Sequence, residues 1–290
     1  MSARIVSRRS VLGAAIGAAA FGASSIERVA RAAAARPPVA FLSHGAPTLP
    51  IDPARSSAIA AWGRSLATPR GIVVMTPHFG ARRLTLGATG RGAAMYNMPD
   101  GLRRRLPKLD YPSPPSDALA SRVEALLGEP VLRSDRAGFD HTTWMPLFYL
   151  RPDHDAPVLE LSYPYRTDAE LFALGKRLAP LRDEGIFFLA SGQMTHNLAA
   201  ADIDEGAPAA WARDFDAWGT EALEARNIDA LIDWRHKAPA CDLAHPDDGG
   251  HFRVLLVALG VFAGAGGGGT IRFPIGGFDR SLSRRCVEMT

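Results

Sequence analysis

Cysteine is scarce in this sequence. Only Cys241 and Cys286 occur among 290 residues, and no C-x-x-C pair is present. This excludes the disulfide framework of a small secreted domain and the usual cysteine-based zinc or redox motif. We predict two small, partly buried thiols. A single disulfide stays open as an alternative, because sequence spacing does not fix the distance between two Cα atoms.

A strong excess of either charge is also missing. The chain has 33 Lys and Arg residues against 30 Asp and Glu residues, a formal net charge of +3. Residues 1–35 hold five arginines and one acidic residue, so the rest of the chain is close to neutral. A basic surface for nucleic acid is therefore not predicted. The run RRR at 103–105 is interpreted as a solvated surface.

The N-terminus lacks an apolar run long enough to span a membrane. Residues 7–13, SRRSVLG, form a twin-arginine pattern, followed by a short alanine-rich apolar stretch and small residues at 29–35. Such a stretch spans about 30 Å of hydrocarbon poorly, and this order of segments is typical of a cleavable export signal. We predict that residues 1–35 are a twin-arginine-type signal, that the protein is exported to the periplasm, and that no stable membrane insertion remains after cleavage.

Residues 36–290 are predicted to form one α/β domain. Continuous apolar runs bounded by Gly and Pro indicate strands buried on both faces, and they occur at 38–42, 71–76, 157–162 and 185–190. Helical patterns lie between or after them, at 117–127, 168–182 and 208–223. This alternation predicts a central, mostly parallel or mixed sheet with helices on both faces. The glycine-rich segment 264–269 lacks phosphate-loop spacing and is interpreted as a loop before a last strand at 270–273.

Three histidines follow the ends of predicted strands. His44 and His78 come directly after the first two apolar runs, and His196 comes shortly after the fourth. Ligands of open α/β sheets bind outside the carboxyl ends of the strands, so these side chains are expected to meet in one crevice. Histidine is the commonest metal ligand and the usual proton shuttle near neutral pH. We therefore predict a site that divides metal binding and proton transfer among several histidines.

The remaining isolated histidines carry less weight. His154 and His236 lie in polar segments and are predicted to be surface residues. His245 is either a pocket-edge residue or a structural one, and we favour the structural interpretation.

Five segments, each with its histidine, resemble a known family in the same order along the chain. They are FLSHGAP at 41–47, TPHF at 76–79, GFDHTTW at 138–144, ASGQMTHN at 190–197 and GHFRVLL at 250–256, with SLSRRCV at 281–287 also fitting. Each segment alone is a weak signal, but together they resemble the DOPA-type, class III extradiol ring-cleavage dioxygenases from about Pro38 to the C-terminus. Such an enzyme opens a small aromatic diol with O2.

The resemblance implies a role for each histidine. His44, His78 and His251 would hold one divalent metal. His196 would be the acid–base residue, and His141 a second proton donor or substrate-orienting group. Fe(II) is expected for activity, with Zn(II) as an alternative bound metal.

The third metal ligand has an alternative. Related class III enzymes use two histidines and one carboxylate, the facial arrangement of non-haem Fe(II) oxygenases. Asp247 and Asp248 lie close to His251 in the sequence. Either carboxylate could replace that histidine.

Some positions depart from the family pattern. Ala46 stands for the usual Ser, Phe79 for Trp and Thr142 for Gly, and segment 94–102 keeps little of the family's Asp-Phe-x-Gly-Phe-Pro pattern. Tyr96 and Trp144 are candidate rings for stacking on a substrate, although core packing explains Trp144 at least as well. The metal site is therefore better supported than the substrate.

Two other functions use the same residues. Three histidines and a water form the open site of a zinc hydrolase. A non-enzymatic metal- or ligand-binding protein could also use this scaffold. The presence of His196 and His141 favours an enzyme, since neither is needed merely to store a metal.

Overall fold

The computed structural model describes residues 36–136, 138–201 and 206–290. The predicted export signal, residues 1–35, lies outside the described residues, so the signal and the periplasmic location stay predictions. Within the described ranges, no helix combines the length and the apolar character needed to cross a membrane.

Ten strands are found among the described residues. The strands are β1 (Val39–Ser43), β2 (Gly71–Ala81), β3 (Thr85–Leu86), β4 (Leu132–Arg133), β5 (Val158–Pro164), β6 (Ile186–Gly192), β7 (Ile271–Arg272), β8 (Phe278–Asp279), β9 (Leu282–Ser283) and β10 (Val287–Met289). Eight of them form one sheet in the order β4-β3-β5-β2-β6-β1-β10-β7, and β8 pairs with β9. The four central strands β5, β2, β6 and β1 are parallel, whereas β10 is antiparallel to β1. The predicted mixed sheet is confirmed.

Helices and two 3-10 turns connect the strands. The helices are α1 (Pro53–Ser65), α2 (Asp100–Arg103), α3 (Asp117–Leu127), α4 (His141–Leu150), α5 (Asp168–Leu178), α6 (Leu198–Ala201), α7 (Ala210–Glu224), α8 (Ile228–Ile232), α9 (Trp234–Lys237), α10 (Cys241–Ala244) and α11 (Gly250–Gly264). The 3-10 turns are Leu49–Ile51 and Ala179–Arg182.

The sheet separates two apolar layers. Successive β1 residues alternate between them: Val39 packs in the layer that contains α5 and α11, and Ala40 packs in the layer that contains α1 and α4. This alternation follows from the period-two direction of side chains along a strand. Since both faces are covered, the central strands are apolar throughout. Their carboxyl ends remain as the edge at which polar side chains can gather.

Predicted and observed elements agree closely where local signals are strong. The helix predicted at 117–127 has those bounds, and it ends before Gly128, whose φ of +62° suits a glycine C-cap. The helix predicted at 168–182 ends at Leu178 and continues as a 3-10 turn. The second strand is longer than predicted, because β2 resumes pairing with β5 at Gly80 after an irregularity. Cys241 and Cys286 are both free thiols, the first partly buried and the second buried.

Candidate metal centre and active site

His44 lies directly after β1, and its ring orientation is fixed by a serine. His44 Nδ1 is 3.1 Å from Ser191 Oγ. The Ser191 hydroxyl donates its one hydrogen to the Thr142 carbonyl at 2.5 Å. It must therefore accept a hydrogen bond from His44 Nδ1. This places the proton on Nδ1 and leaves the Nε2 lone pair of His44 free for a metal.

The turn after His44 needs a glycine. Gly45 has a φ of +66°, and a Cβ there would lie 2.0 Å from Arg55 Nη2. That same Nη2 donates to the His44 carbonyl at 2.6 Å. The missing side chain therefore lets the guanidinium reach the backbone of the first histidine.

His78 lies inside β2, at an irregularity in the strand. The register of β2 against β5 shifts between Thr76 and Gly80, and this shift brackets His78. Bulges of this kind redirect a side chain near an active site. His78 Nδ1 is 3.5 Å from Oδ1 of the buried Asp140. A carboxylate beside Nδ1 favours a proton on that nitrogen and leaves Nε2 as the ligand atom.

His251 comes from the opposite end of the chain, at the first turn of α11. Its carbonyl accepts a hydrogen bond from Gln193 N at 2.9 Å. A Cβ on Gly192 would lie 2.1 Å from this carbonyl oxygen, so the close approach of β6 and α11 requires glycine there. His251 Nε2 is buried, and in the part of the chain that the structure describes it has no hydrogen-bond partner. An unpaired buried polar atom costs about 1–3 kcal/mol, a cost that a bound metal would remove.

These three histidines, called here the three-histidine site, lie together. The ring centroids of His44, His78 and His251 are 5.4–5.5 Å apart, and one nitrogen from each lies within 4.8 Å of the others. All three are nitrogen donors of the type that holds iron or zinc. The donor set and the unpaired Nε2 of His251 fit a divalent metal.

His196 is stacked on the ring of His251. The ring centroids are 3.5 Å apart, and the ring planes differ by 12°. His196 Nδ1 is 4.0 Å from Asp247 Oδ2, while Asp247 Oδ1 accepts a hydrogen bond from Gly249 N at 2.8 Å. The acid–base candidate thus lies beside the three-histidine site and has a carboxylate of its own.

His141 lies on the other flank, at the start of α4. Its ring centroid is 4.9 Å from that of His78. Asn97 Oδ1 accepts the His141 backbone N–H at 3.2 Å and lies 3.1 Å from His141 Nδ1. The Asn97 amide nitrogen donates to Asp140 Oδ2, which sets the direction of the amide. His141 Nδ1 therefore carries a proton, and Nε2 is the nitrogen left to accept one.

The carboxylates near the site have different tasks. Asp248 Oδ1 accepts a hydrogen bond from Gly250 N at 2.9 Å, and its Oδ2 lies 3.4 Å from the Tyr163 hydroxyl. Asp247 can join His196 and His251 in a second group of metal-binding type. The geometry therefore leaves Asp247 as the carboxylate alternative and directs Asp248 elsewhere.

Burial keeps the site histidines neutral. Desolvation is the largest cause that lowers the pKa of each of the five histidines around this site, and the neighbouring histidines lower the pKa of His44 and His251 further. Asp140 raises the pKa of His78 and His141 but does not offset burial. Neutral imidazole is the form that binds a metal.

These shifts predict how the metal-free protein responds to acid. In the unfolded chain the histidines bind protons near pH 6.5, whereas their pKa values in the folded chain are lower. The unfolded state therefore binds more protons below that pH, and stability is lost as the pH falls. We expect the unfolding temperature of chelator-treated protein to drop between pH 7.5 and 5.5, and a His251→Gln variant to show a smaller drop. Equal slopes for the two proteins would contradict this assignment.

The two predicted substrate rings pack against each other. Trp144 is fully buried, and its Nε1 donates to the Met95 carbonyl at 2.8 Å. Its burial favours core packing and leaves substrate stacking without support. The Tyr96 ring centroid is 5.1 Å from that of Trp144. The Tyr96 hydroxyl lies 2.8 Å from the Pro107 carbonyl oxygen and accepts a hydrogen bond from Leu109 N, so Tyr96 fastens the segment that follows it.

The three remaining histidines differ in environment. His236 is 82% exposed, as predicted for a surface residue. His245 is fully buried, donates from Nε2 to the Met194 carbonyl at 2.9 Å and has its pKa lowered to about 3 by burial, which confirms the structural interpretation. The surface prediction for His154 was wrong. Its half-buried ring packs 4.3 Å from the ring of Tyr111.

Three residues that hold the histidines had no role that the sequence alone indicated. Ser191 and Asp140 stand inside the segments that carried the resemblance, and Asn97 stands in the segment that departs from it. Ser191 lies near the end of a predicted strand, and Asp140 lies next to His141. These positions indicated that both residues are near the site. Asn97 lies 44 residues before His141, and no sequence pattern indicated this contact.

Comparisons with known proteins agree with this arrangement. Residues 38–272 match the family described as the catalytic LigB subunit of aromatic ring-opening dioxygenase. The 4,5-DOPA dioxygenase extradiol of Beta vulgaris is 32% identical over 229 residues, which cover 76% of this chain and 85% of that protein. The protein of the same name from Escherichia coli is 31% identical over 270 residues, covering 88% of this chain and 95% of that protein.

A solved structure shares the fold. The crystal structure of an uncharacterized protein from Escherichia coli superposes with a TM-score of 0.73 at 30% identity, and the match covers 88% of this chain and all of that one. The family match spans most of the chain and includes all five segments that contain site histidines. The chain therefore belongs to the DOPA-type, class III extradiol family of aromatic ring-opening dioxygenases, and it is an oxidoreductase of the dioxygenase class.

Proposed function

We propose that this dioxygenase opens small catechol-type aromatic diols with O2, using one divalent metal held by His44, His78 and His251. The observation that carries the proposal is the three-histidine site itself. Its imidazoles are kept neutral by burial, and the buried Nε2 of His251 has no hydrogen-bond partner among the described residues. Two further histidines flank the site where a substrate proton would have to be moved.

The metal and the protein side chains would have different roles in the proposed reaction. A bound divalent metal of this kind supplies a template for both substrates and favours the ionised diol. The proposed metal for activity is Fe(II), because zinc has no redox chemistry with which to activate O2. Zinc would fit the same ligands without supporting the reaction.

His196 is the proposed base for the diol proton. Its burial lowers its pKa, so the ring is neutral and can accept a proton at neutral pH. Asp247, 4.0 Å from Nδ1, stabilises the ring once it is protonated. Its stacked contact with His251 holds the ring against the proposed metal ligand while this occurs.

His141 is the proposed second proton-transfer residue. Its Nδ1 is fixed toward Asn97 Oδ1, so Nε2 is the nitrogen that takes or gives a proton. Asp140 Oδ1, 3.6 Å from Nδ1, stabilises the protonated ring. With His196 and His141 on different flanks, one residue can take a proton from the diol while the other returns one to the opened product.

The proposal is tested with full-length protein purified without oxygen. Bound metals are measured by elemental analysis, and then Fe(II), O2 and a panel of catechols that includes DOPA are added. We expect a yellow ring-opened product, one O2 consumed per catechol, and no product from the matched 1,4-diols, whose two oxygens cannot share one metal. Stoichiometric zinc and no product from any catechol with added Fe(II) would contradict the proposed substrate class and metal.

A further inference from the structure

A cavity that none of the site histidines lines is found beside Ser43, the last residue of β1. It has a volume of about 260 Å³ and lies between α1 and the segment 275–286. This is slightly below the usual 300–1,000 Å³ of small-molecule pockets, so its occupant would be small. The wall residues used below are Ser43, Arg55, Ile59, Ile275, Arg284 and Cys286.

The residues that line the cavity carry unused hydrogen-bond donors and include no Asp or Glu. Among its lining residues, all of which the structure describes, the buried polar side-chain atoms without a hydrogen-bond partner are Arg55 Nη1 and Arg284 Nε. The Ser43 hydroxyl is already used, because it donates to the Arg285 carbonyl at 2.7 Å. Both unused atoms are donors on cations, so the complementary ligand is an anion that accepts hydrogen bonds.

The guanidinium of Arg55 is held in place through its second terminal nitrogen, Nη2. Arg55 is only 5% exposed, and its Nη2 donates to the His44 carbonyl at 2.6 Å. The planar guanidinium therefore fixes where Nη1 lies. A buried guanidinium with an unused donor is costly to keep, which favours a ligand that completes its hydrogen bonds.

One carboxylate of the protein lies near Arg55 Nη1 but does not satisfy it. Asp279 Oδ2 is 3.9 Å from Nη1, which is too long for a hydrogen bond, and its side chain is half-exposed. Arg55 and Asp279 attract each other electrostatically, but they do not form a hydrogen bond. An incoming anion would have to approach in the presence of Asp279, so this residue weakens binding.

The rest of the wall is apolar. Ile59 and Ile275 are aliphatic, and the Cys286 thiol is neutral because burial raises its pKa to about 12. A carboxylate that carries a compact apolar body matches both parts of this wall. A fully hydrated inorganic ion would match only the guanidinium end.

We propose that this cavity binds a small organic carboxylate, with the carboxylate on Arg55 Nη1 and Arg284 Nε and the apolar body against Ile59 and Ile275. The ligand is bound by the same guanidinium that holds the backbone of His44. The site is separate from the three-histidine site and does not depend on which substrate the enzyme opens.

The test is calorimetric titration of the metal-loaded protein with benzoate, and with benzamide as its uncharged match. We expect benzoate to bind in the millimolar range and benzamide not to bind. Arg284→Gln should weaken benzoate binding by at least about tenfold, because it removes a charge-assisted hydrogen bond. Asp279→Asn should tighten it by about threefold, because it removes the nearby like charge. Arg64→Gln, an exposed change on the same helix, should have no effect.

Arg284→Gln and Asp279→Asn are expected to change the affinity for benzoate in opposite directions. Misfolding cannot explain both results, because a damaged protein does not bind more tightly. Benzoate bound at the metal would be insensitive to Arg284→Gln, so equal affinity of that variant would overturn the proposal. Equal binding of benzamide, or no binding of benzoate, would overturn it as well.

Discussion

Replacing His44 with alanine is expected to remove the metal from the protein. Its Nε2 is free for coordination because Ser191 holds Nδ1, and no other side chain of the three-histidine site can take its place. Loss of a residue that merely orients a ligand costs about 10–100-fold in metal affinity, so loss of the ligand should cost more than about 100-fold. Metal content after dialysis, measured by elemental analysis, checks this result. His78→Ala should behave in the same way.

The matched control is His236→Ala, which removes an exposed histidine that belongs to none of the metal-binding groups among the described residues and should leave the metal content unchanged. Full metal occupancy in both His44→Ala and His78→Ala would mean that the metal is held elsewhere. The group formed by His196, Asp247 and His251 would then be the candidate.

Replacing His196 is expected to remove turnover and retain the metal. General acid–base catalysis contributes about 10²–10⁴-fold, so the rate with Fe(II) should fall by that factor. His196→Phe is the sharper variant, because a phenyl ring can keep the stacked contact with His251 but cannot carry a proton. Single-turnover rates and metal content, measured on the same sample, separate the two roles.

His196→Ala serves as the comparison that loses both the proton carrier and the stacked ring. If both variants keep the metal and lose turnover, proton transfer is the role of His196. If both lose the metal, His196 is a ligand, and the division of roles among the five histidines is wrong.

The sequence predicted the edge of the sheet where the site lies, because the signals for it are local. His44 follows an apolar strand directly, and the parallel strands β1, β2 and β6 all end at the same edge. His251 could be placed only through family resemblance, because it reaches the site from a helix rather than from a strand end.

Position in the sequence marked Ser191 as a residue near the site, but not which histidine it contacts, because the supporting contacts join residues distant in the sequence. The proton position on His44 depends on Ser191, 147 residues away. That on His141 depends on Asn97, in a segment where the family pattern is not kept. The strands β3 and β4 have two residues each and form only through pairing with neighbouring strands. Two residues are too few for a hydrophobic period to predict a strand.

The positions of the three histidines along the chain also limit when their site can form during synthesis. β1 lies between β6 and β10, and His44 meets a ring supplied by α11 near the other end of the chain. A ribosome releases His44 and His78 long before His251, so the growing polypeptide holds at most a partial set of donors. Such long-range closure is slow relative to helix formation. Under the proposed ligand set, the three-histidine site is complete only after α11 has been synthesised, so metal capture by all three ligands follows the translation of that helix.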